Sequence, residues 1–376
     1  MQVSRRLAFF FLCFGSLITA FNVSAINAVI PSMSKGLGLS DLDVARMVPY
    51  YMIPYGIGAL MYAPLSRKFS VRAILILSIA LYGITNLVCG LTSSLNVILI
   101  ARVIKGLAAA SIMPLGLMVI GKIFEREVRG RMVGTFFSAS FVGAAMGLII
   151  SGVAPWHWIF IVPGILGLVC SLGMLVMKPY GFERLEGVHT NYFKILQLAN
   201  IKRILIFIFC ISLLFNGVAK WYGVYLAREY HYNQMMVSSL ILLTAVVSIL
   251  GQLLGGYLTD KKGRVFTSFF GVVMLGLMVM LLYGHYPLWT LVILLSLVSI
   301  GWTVGHNGIS TVLTDFSDDH RSEIASLNSS VRFLSGGIGF YLSGRFVEHN
   351  FNVTFLVIGL IILGMSVFVK RVVASD

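Results

Sequence analysis

Charge is scarce in this sequence. Asp, Glu, Lys and Arg make up 11% of its 376 residues, where an ordinary soluble domain carries about 25%. Hydrophobic residues make up 58%, more than a water-soluble fold can hide. Acids are scarcest, fourteen against twenty-eight Lys and Arg, and none of them sits deep in an apolar run. Cysteine is rare as well. Cys13, Cys89, Cys170 and Cys210 all lie inside apolar runs, with no C-x-x-C and no metal-ligand spacing. That excludes a disulfide framework or a thiolate metal site and leaves small hydrophobes. No Walker-type phosphate loop occurs, and no nucleophile, metal or acid–base constellation rises above chance. An ATP-driven pump and an enzyme are both disfavoured, and no cofactor is expected.

Long apolar runs fill the chain instead. A membrane span needs roughly 20 mostly apolar residues, because about 30 Å of hydrocarbon is crossed at about 1.5 Å per residue. Such runs fall near 7–30, 44–65, 72–92, 95–121, 131–153, 157–177, 203–226, 236–257, 265–284, 287–311, 323–345 and 352–369. Backbone groups in hydrocarbon must be satisfied internally, so only helices or closed barrels cross it. These runs are too long and unbroken for barrel strands, which alternate. The fold class is therefore an all-α membrane protein with about twelve transmembrane helices. Pro31, Trp156, Trp158, Tyr286, Pro287 and Trp289 mark interfacial ends. The first 25 residues imitate a signal peptide, with a basic start and Val23-Ser24-Ala25 as a cleavage site. The apolar stretch runs on to Ile30, long enough to span, so the segment is expected to stay.

A net charge of +14 would point to nucleic acid in a soluble protein, but here the cations sort by membrane side. Twenty Lys and Arg fall on one side: Arg5, Arg6, Arg67, Lys68, Arg72, Lys122, Arg126, Arg129, Arg131, those of the middle loop with Arg203 at its edge, Lys261, Lys262, Arg264, Arg321, Lys370 and Arg371. Only Lys35, Arg46, Arg228 and Arg345 fall on the other. Positive loops stay inside, which makes both termini cytoplasmic and removes the case for nucleic acid.

The longest polar stretch, 178–202, sits midway. It is expected to link an N-terminal six-helix bundle, 1–177, to a C-terminal one, 203–376, and to hold at most a short amphipathic helix. An internal repeat supports two halves: at an offset of 192, Arg129 falls on Arg321, Ser138 on Ser330, Gly147 on Gly339 and Gly152 on Gly344. Paired halves are a transporter architecture, with the substrate site expected near the membrane midplane.

Four motifs carry a family resemblance. Residues 256–264 read G-Y-L-T-D-K-K-G-R, which resembles the G-x-L-x-D-x-x-G-R signature of the major facilitator superfamily. The first-half equivalent, 63–72, reads A-P-L-S-R-K-F-S-V-R, with Arg67 where the family has its carboxylate and Ser70 for the glycine. Residues 102–110, R-V-I-K-G-L-A-A-A, resemble R-x-x-Q-G-x-x-A-A with Lys105 for Gln. Gly143 to Gly147 resembles the antiporter motif G-P-x-x-G with Ala144 for Pro, and 155–160, P-W-H-W-I-F, is similar to the W-R-W-I-F start of the sixth span in drug-exporting members. The resemblance covers nearly the whole chain and points to the drug:proton antiporter-like branch. It implies twelve helices in two six-helix pseudo-symmetric bundles, the major facilitator fold, acting as a monomer. It implies gating by Arg67, Arg72, Gly256, Asp260, Gly263 and Arg264, glycines allowing a tight turn and the Asp with its flanking cations forming a charge relay. Close helix packing falls to Gly143 and Gly147, and to Gly336, Gly337 and Gly339, whose run mimics a nucleotide loop without the preceding strand.

Multidrug exporters of the family place an acid in or near the first helix. Counting back from Pro31 puts Asn22 at one such position, and Asn does not titrate. The deep charges are positive, Arg102, Lys105, Lys220 and Arg332, with His306 and Asn307 as polar neighbours. Burying cations without acids is costly unless an anion, water or carbonyls compensate. That argues for a basic cavity taking an anionic or zwitterionic solute, with Trp221, Tyr222, Tyr225 and Trp302 as candidate lining and His306 as the expected proton carrier. Plainer roles stand beside these: scaffold or gate for Arg102 and Arg332, snorkelling for Lys220, packing for His306 and the aromatics. The leading expectation is a secondary transporter working by alternating access, exporting a small solute with or without a proton. The alternatives are a proton-coupled multidrug exporter and a transporter-like sensor without flux; a membrane-embedded enzyme or lipid-handling protein is a weaker third.

Overall fold

In a computed structural model, residues 2–177, 181–184, 192–314 and 321–374 are described, and no strand occurs among them. Lys178, Glu186, Asp315, Asp318, Asp319 and Asp376 lie outside the described residues, as does most of the middle stretch. The chain divides into two compact units, Met1–Thr190 with His231–Ser238, and Asn191–Tyr230 with Ser239–Asp376.

The first stretch of chain forms α1 (Gln2–Leu37), α2 (Asp41–Ala45), α3 (Pro49–Lys68), α4 (Val71–Leu91), α5 (Leu95–Ala109), α6 (Ile112–Ile123), α7 (Arg126–Val153) and α8 (Trp158–Met177). Beyond the middle stretch come α9 (Tyr192–Gln197), α10 (Ala199–Ala219), α11 (Tyr222–Glu229), α12 (Gln234–Lys262), α13 (Arg264–Leu281), α14 (Leu288–Thr314), α15 (Arg321–Val347), α16 (Phe351–Ser366) and α17 (Val369–Val373). Among the described residues nine helical spans are long and apolar enough to cross a membrane. The more polar α3 and α15 and the shorter, apolar α16 occupy the other three expected places.

Three boundaries differ from the sequence reading. Pro31 does not end the first helix, which runs to Leu37. A proline removes one donor, and the hydroxyl of Ser34 donates to Ile30 O at 2.8 Å just beyond it. The fourth expected span is two helices, α5 and α6, broken at Ala110–Ser111, and the seventh is α10 and α11, broken at Lys220–Trp221. Within the middle stretch α9 is the short helix expected there.

Glycine decides how closely the helices approach. A Cβ at Gly147 on α7 would overlap the Phe21 carbonyl oxygen of α1, and one at Gly143 would overlap that of Leu17. In the second unit a Cβ at Gly339 on α15 would overlap the Leu213 carbonyl of α10. Leu213 lies 192 residues after Phe21, as Gly339 does after Gly147, so the repeat seen in sequence is a repeat of one backbone contact. Gly83 and Gly167 meet across α4 and α8, and Gly276 and Gly359 across α13 and α16 at nearly the same offset. Gly336 and Gly337 are buried in α15.

In lipid, helices associate through such close approaches rather than through a hydrophobic drive. Gly147→Ala and Gly339→Ala should therefore each destabilise the fold by about 1–3 kcal/mol, seen as a lower melting temperature in detergent. Gly256→Ala is the control: the nearest atom to its Cβ is Asn307 Nδ2 at 3.8 Å, so its melting temperature should not fall.

Candidate functional site

In the first unit a buried polar network forms because helical spacing places its members on common faces. Tyr82 and Asn86 lie four residues apart on α4, and Arg102 and Lys105 three apart on α5. Lys105 is fully buried and its Nζ donates to Asn86 Oδ1 at 2.7 Å. The amine also sits 4.9 Å from the ring centre of Phe160 and 5.3 Å from that of Tyr82. Asn22 Nδ2 donates to the same Asn86 oxygen at 2.9 Å, and Asn86 Nδ2 donates to Tyr82 O at 2.9 Å. The Tyr82 hydroxyl bonds Ile18 O at 3.1 Å and reaches Asn22 Oδ1 at 3.4 Å.

Arg102 lies one turn from Lys105. Its Nε donates to Met47 O at 2.9 Å, and its guanidinium carbon stands 4.5 Å from the Tyr51 ring centre. Its Nη1 and the Tyr51 hydroxyl are buried without hydrogen-bond partners. No carboxylate bonds either cation among the described residues. The structure thus joins Asn22 and Lys105 through Asn86, with Arg102 alongside. Asn86, Tyr82 and Tyr51 escaped the sequence reading; an amide inside an apolar span was the available signal.

A second cluster lies in the second unit. Trp302 and His306 lie one turn apart on α14, their rings stacked with centres 5.3 Å apart. Phe215 of α10 stacks on Trp302 at 4.1 Å, and the Arg332 guanidinium of α15 stands 6.0 Å from the same ring centre. His306 Nε2 lies 3.1 Å from the Ser310 hydroxyl. The void beside Trp302 and His306 is about 10 Å³, room for at most one water.

Other candidates fall elsewhere. Asn307 does not face the same way as His306, since each helical residue turns about 100°: its Nδ2 donates to Gln252 O at 3.0 Å, toward α12. Trp221 and Tyr225 are packed within the second unit. The Trp221 indole is 2% exposed, donates to Ser343 Oγ at 2.9 Å and stacks on Phe340 at 4.3 Å. Tyr225 donates to Leu282 O at 3.3 Å, and Tyr222 is buried too. Lys220 is half-buried at the end of α10.

Gly263 has φ +81° and joins α12 to α13, so the left-handed turn is there. Gly256 is inside α12, and Asp260 is exposed in its last turn. Arg264 begins α13, and Arg67 lies in the last turn of α3. Among the described residues no acid bonds Arg72: its Nη2 donates to Leu175 O at 2.6 Å and to Met174 O at 3.0 Å, closing the carbonyl end of α8. A cation there meets the negative end of the helix dipole. Residues 181–184 dock beside it. Arg72 N donates to Phe182 O at 2.9 Å, Phe182 is buried, and Lys122 Nζ meets Glu183 Oε2 at 2.7 Å.

A family model described as the Major Facilitator Superfamily matches residues 12–340. The MdtD proteins of Shigella flexneri serotype 5b and Citrobacter koseri, named for a proposed role in multidrug resistance, are 28% and 29% identical over 181 residues, 47% of this chain and 38% of theirs. The chain thus spans well under half the length of these curated relatives. A bacterial homologue of the human lysosomal transporter Spinster superposes with TM-score 0.79 at 14% identity, over 99% of this chain and 96% of that one. A D-xylose–proton symporter gives 0.73 at 15%, over 98% of each chain. At these identities the likeness shows a shared fold.

Removing the acceptor beneath Lys105 should be felt more than removing both partners. Asn86→Leu should cost about 1.5–3 kcal/mol, and adding Lys105→Met should recover much of it, both read as melting temperatures in detergent. Lys122 holds the Glu183 carboxyl below its ordinary range. A depressed carboxylate pKa stabilises above the unfolded value, and that contribution is lost as pH falls through the folded one. Acidification through that window should lower the amide-exchange protection factors at 181–184, each taken relative to the intrinsic rate at that pH, and Lys122→Gln should flatten the dependence.

Proposed function

Since the chain belongs to the Major Facilitator Superfamily, a family of transporters and not of enzymes, we propose that it moves a small anionic or zwitterionic solute across the cell membrane by alternating access. The observation that carries the solute class is the first unit's pair of buried cations, Lys105 and Arg102, neither bonded to a carboxylate among the described residues. Buried charge of one sign asks for a partner of the other. Neutral Asn22 and Asn86 leave that place to the solute. On this reading 1–177 and 203–376 are the moving bundles, 178–202 links them, and the excess of Lys and Arg on one side keeps both termini cytoplasmic. The protein works as a monomer, and a proton is its coupling ion.

Export is favoured by the likeness to relatives named for multidrug resistance. The same likeness supports the second reading, a proton-coupled exporter of cationic drugs. Purified protein in liposomes separates the two. Saturable flux of organic anions, lost in Lys105→Met, is expected; export of cationic dyes driven by a pH gradient would replace the anion reading, and ligand binding without flux would mean a sensor.

A further inference from the structure

Two cations share one face of α5, and they differ in what they can do with a proton. Arg102 has a fixed charge, because a guanidinium is not deprotonated in proteins. A buried lysine amine exchanges between both states. We infer that Lys105 is the group that takes up the coupling proton when an anion enters, so that solute and proton move together. This rests on the anionic reading of the solute above.

The surroundings of the amine suit that role. Its one hydrogen-bond acceptor among the described residues is Asn86 Oδ1 at 2.7 Å, which also accepts from Asn22 Nδ2 at 2.9 Å. An ammonium has three donors, and the remaining neighbours are the rings of Phe160 and Tyr82. The charged and titratable groups around it are Arg102 on α5, Tyr82 and Cys89 on α4, and Tyr51 on α3 beside Arg102. From α1 comes Asn22 and from α8 Phe160, neither of which titrates. An aspartate at position 22 or 86 would hold the ammonium permanently. The amide of Asn86 accepts a hydrogen bond from Lys105 in either state, and two neutral amides leave the counter-charge to the solute.

The step balances simply. A proton from water on the open side binds the Nζ lone pair as the anion arrives, and the new ammonium and the anion neutralise each other. On the other side the anion leaves, the N–H bond breaks and the proton returns to water. Net movement then follows the summed gradients of anion and proton, and export runs when the anion's own gradient is the larger. His306 lies in the other unit, stacked on Trp302 with Arg332 near the same ring.

The test uses the whole chain in liposomes loaded with the pH dye pyranine and challenged with inward gradients of gluconate, glutamate and citrate. Wild type is expected to acidify the lumen in step with uptake of whichever anion it moves. Lys105→Arg keeps the charge and cannot release the proton, so the number of protons it carries per anion is expected to fall from the wild-type value to zero. Acidification by the Arg variant equal to wild type overturns the inference and leaves anion transport standing. Absence of anion flux in the wild type overturns both. Where Lys105→Arg does not fold or moves no anion, wild-type protein in weakly buffered detergent answers the same question: anion binding is expected to take up a proton, and binding without proton uptake overturns the inference.

Discussion

Backbone in hydrocarbon has no water to bond with, and every other feature of this protein answers to that constraint. It leaves the chain only helices, and it removes the hydrophobic drive that would hold helices together in water. Contact between backbones has to supply the difference. Gly147 against the Phe21 carbonyl and Gly339 against that of Leu213 are the same solution used once in each unit. A side chain at either position would hold apart the two helices whose contact it makes.

The same constraint makes buried charge expensive, so its placement is informative. Lys105 and Arg102 are held by carbonyls, an amide and aromatic faces, with no carboxylate among the described partners. Each such partner is weaker than a counter-ion. The first unit therefore contains buried positive charge that no acid balances among the described residues.

At the ends of the helices the demand is different, since carbonyls in a last turn have no intrahelical partner. Arg72 meets it for α8 by donating to Met174 O and Leu175 O. The first-half loop has Arg67 where the family has an acid, and Arg72 is engaged with carbonyls instead. Glu183 brings an acid to this corner from the segment that follows α8, and Lys122 pairs with it.

Sequence alone determined the elements, because a span of about 20 apolar residues has few other fates. It also determined the repeat, since Gly147 and Gly339 stand at matched positions, and the absence of deep acids, which is a matter of counting. Continuation of α1 past Pro31 to Leu37 was not legible, as a proline in sequence reads as the end of a helix. Only the tertiary structure decided which polar residues meet. Asn22, Asn86 and Lys105 come from three helices, and no spacing along a chain encodes a contact between helices. His306 and Asn307 are neighbours in sequence yet turn to different partners, because about 100° of rotation separates them. Trp221, for which the sequence left both lining and packing open, donates to Ser343 and stacks on Phe340, partners from a helix far along the chain.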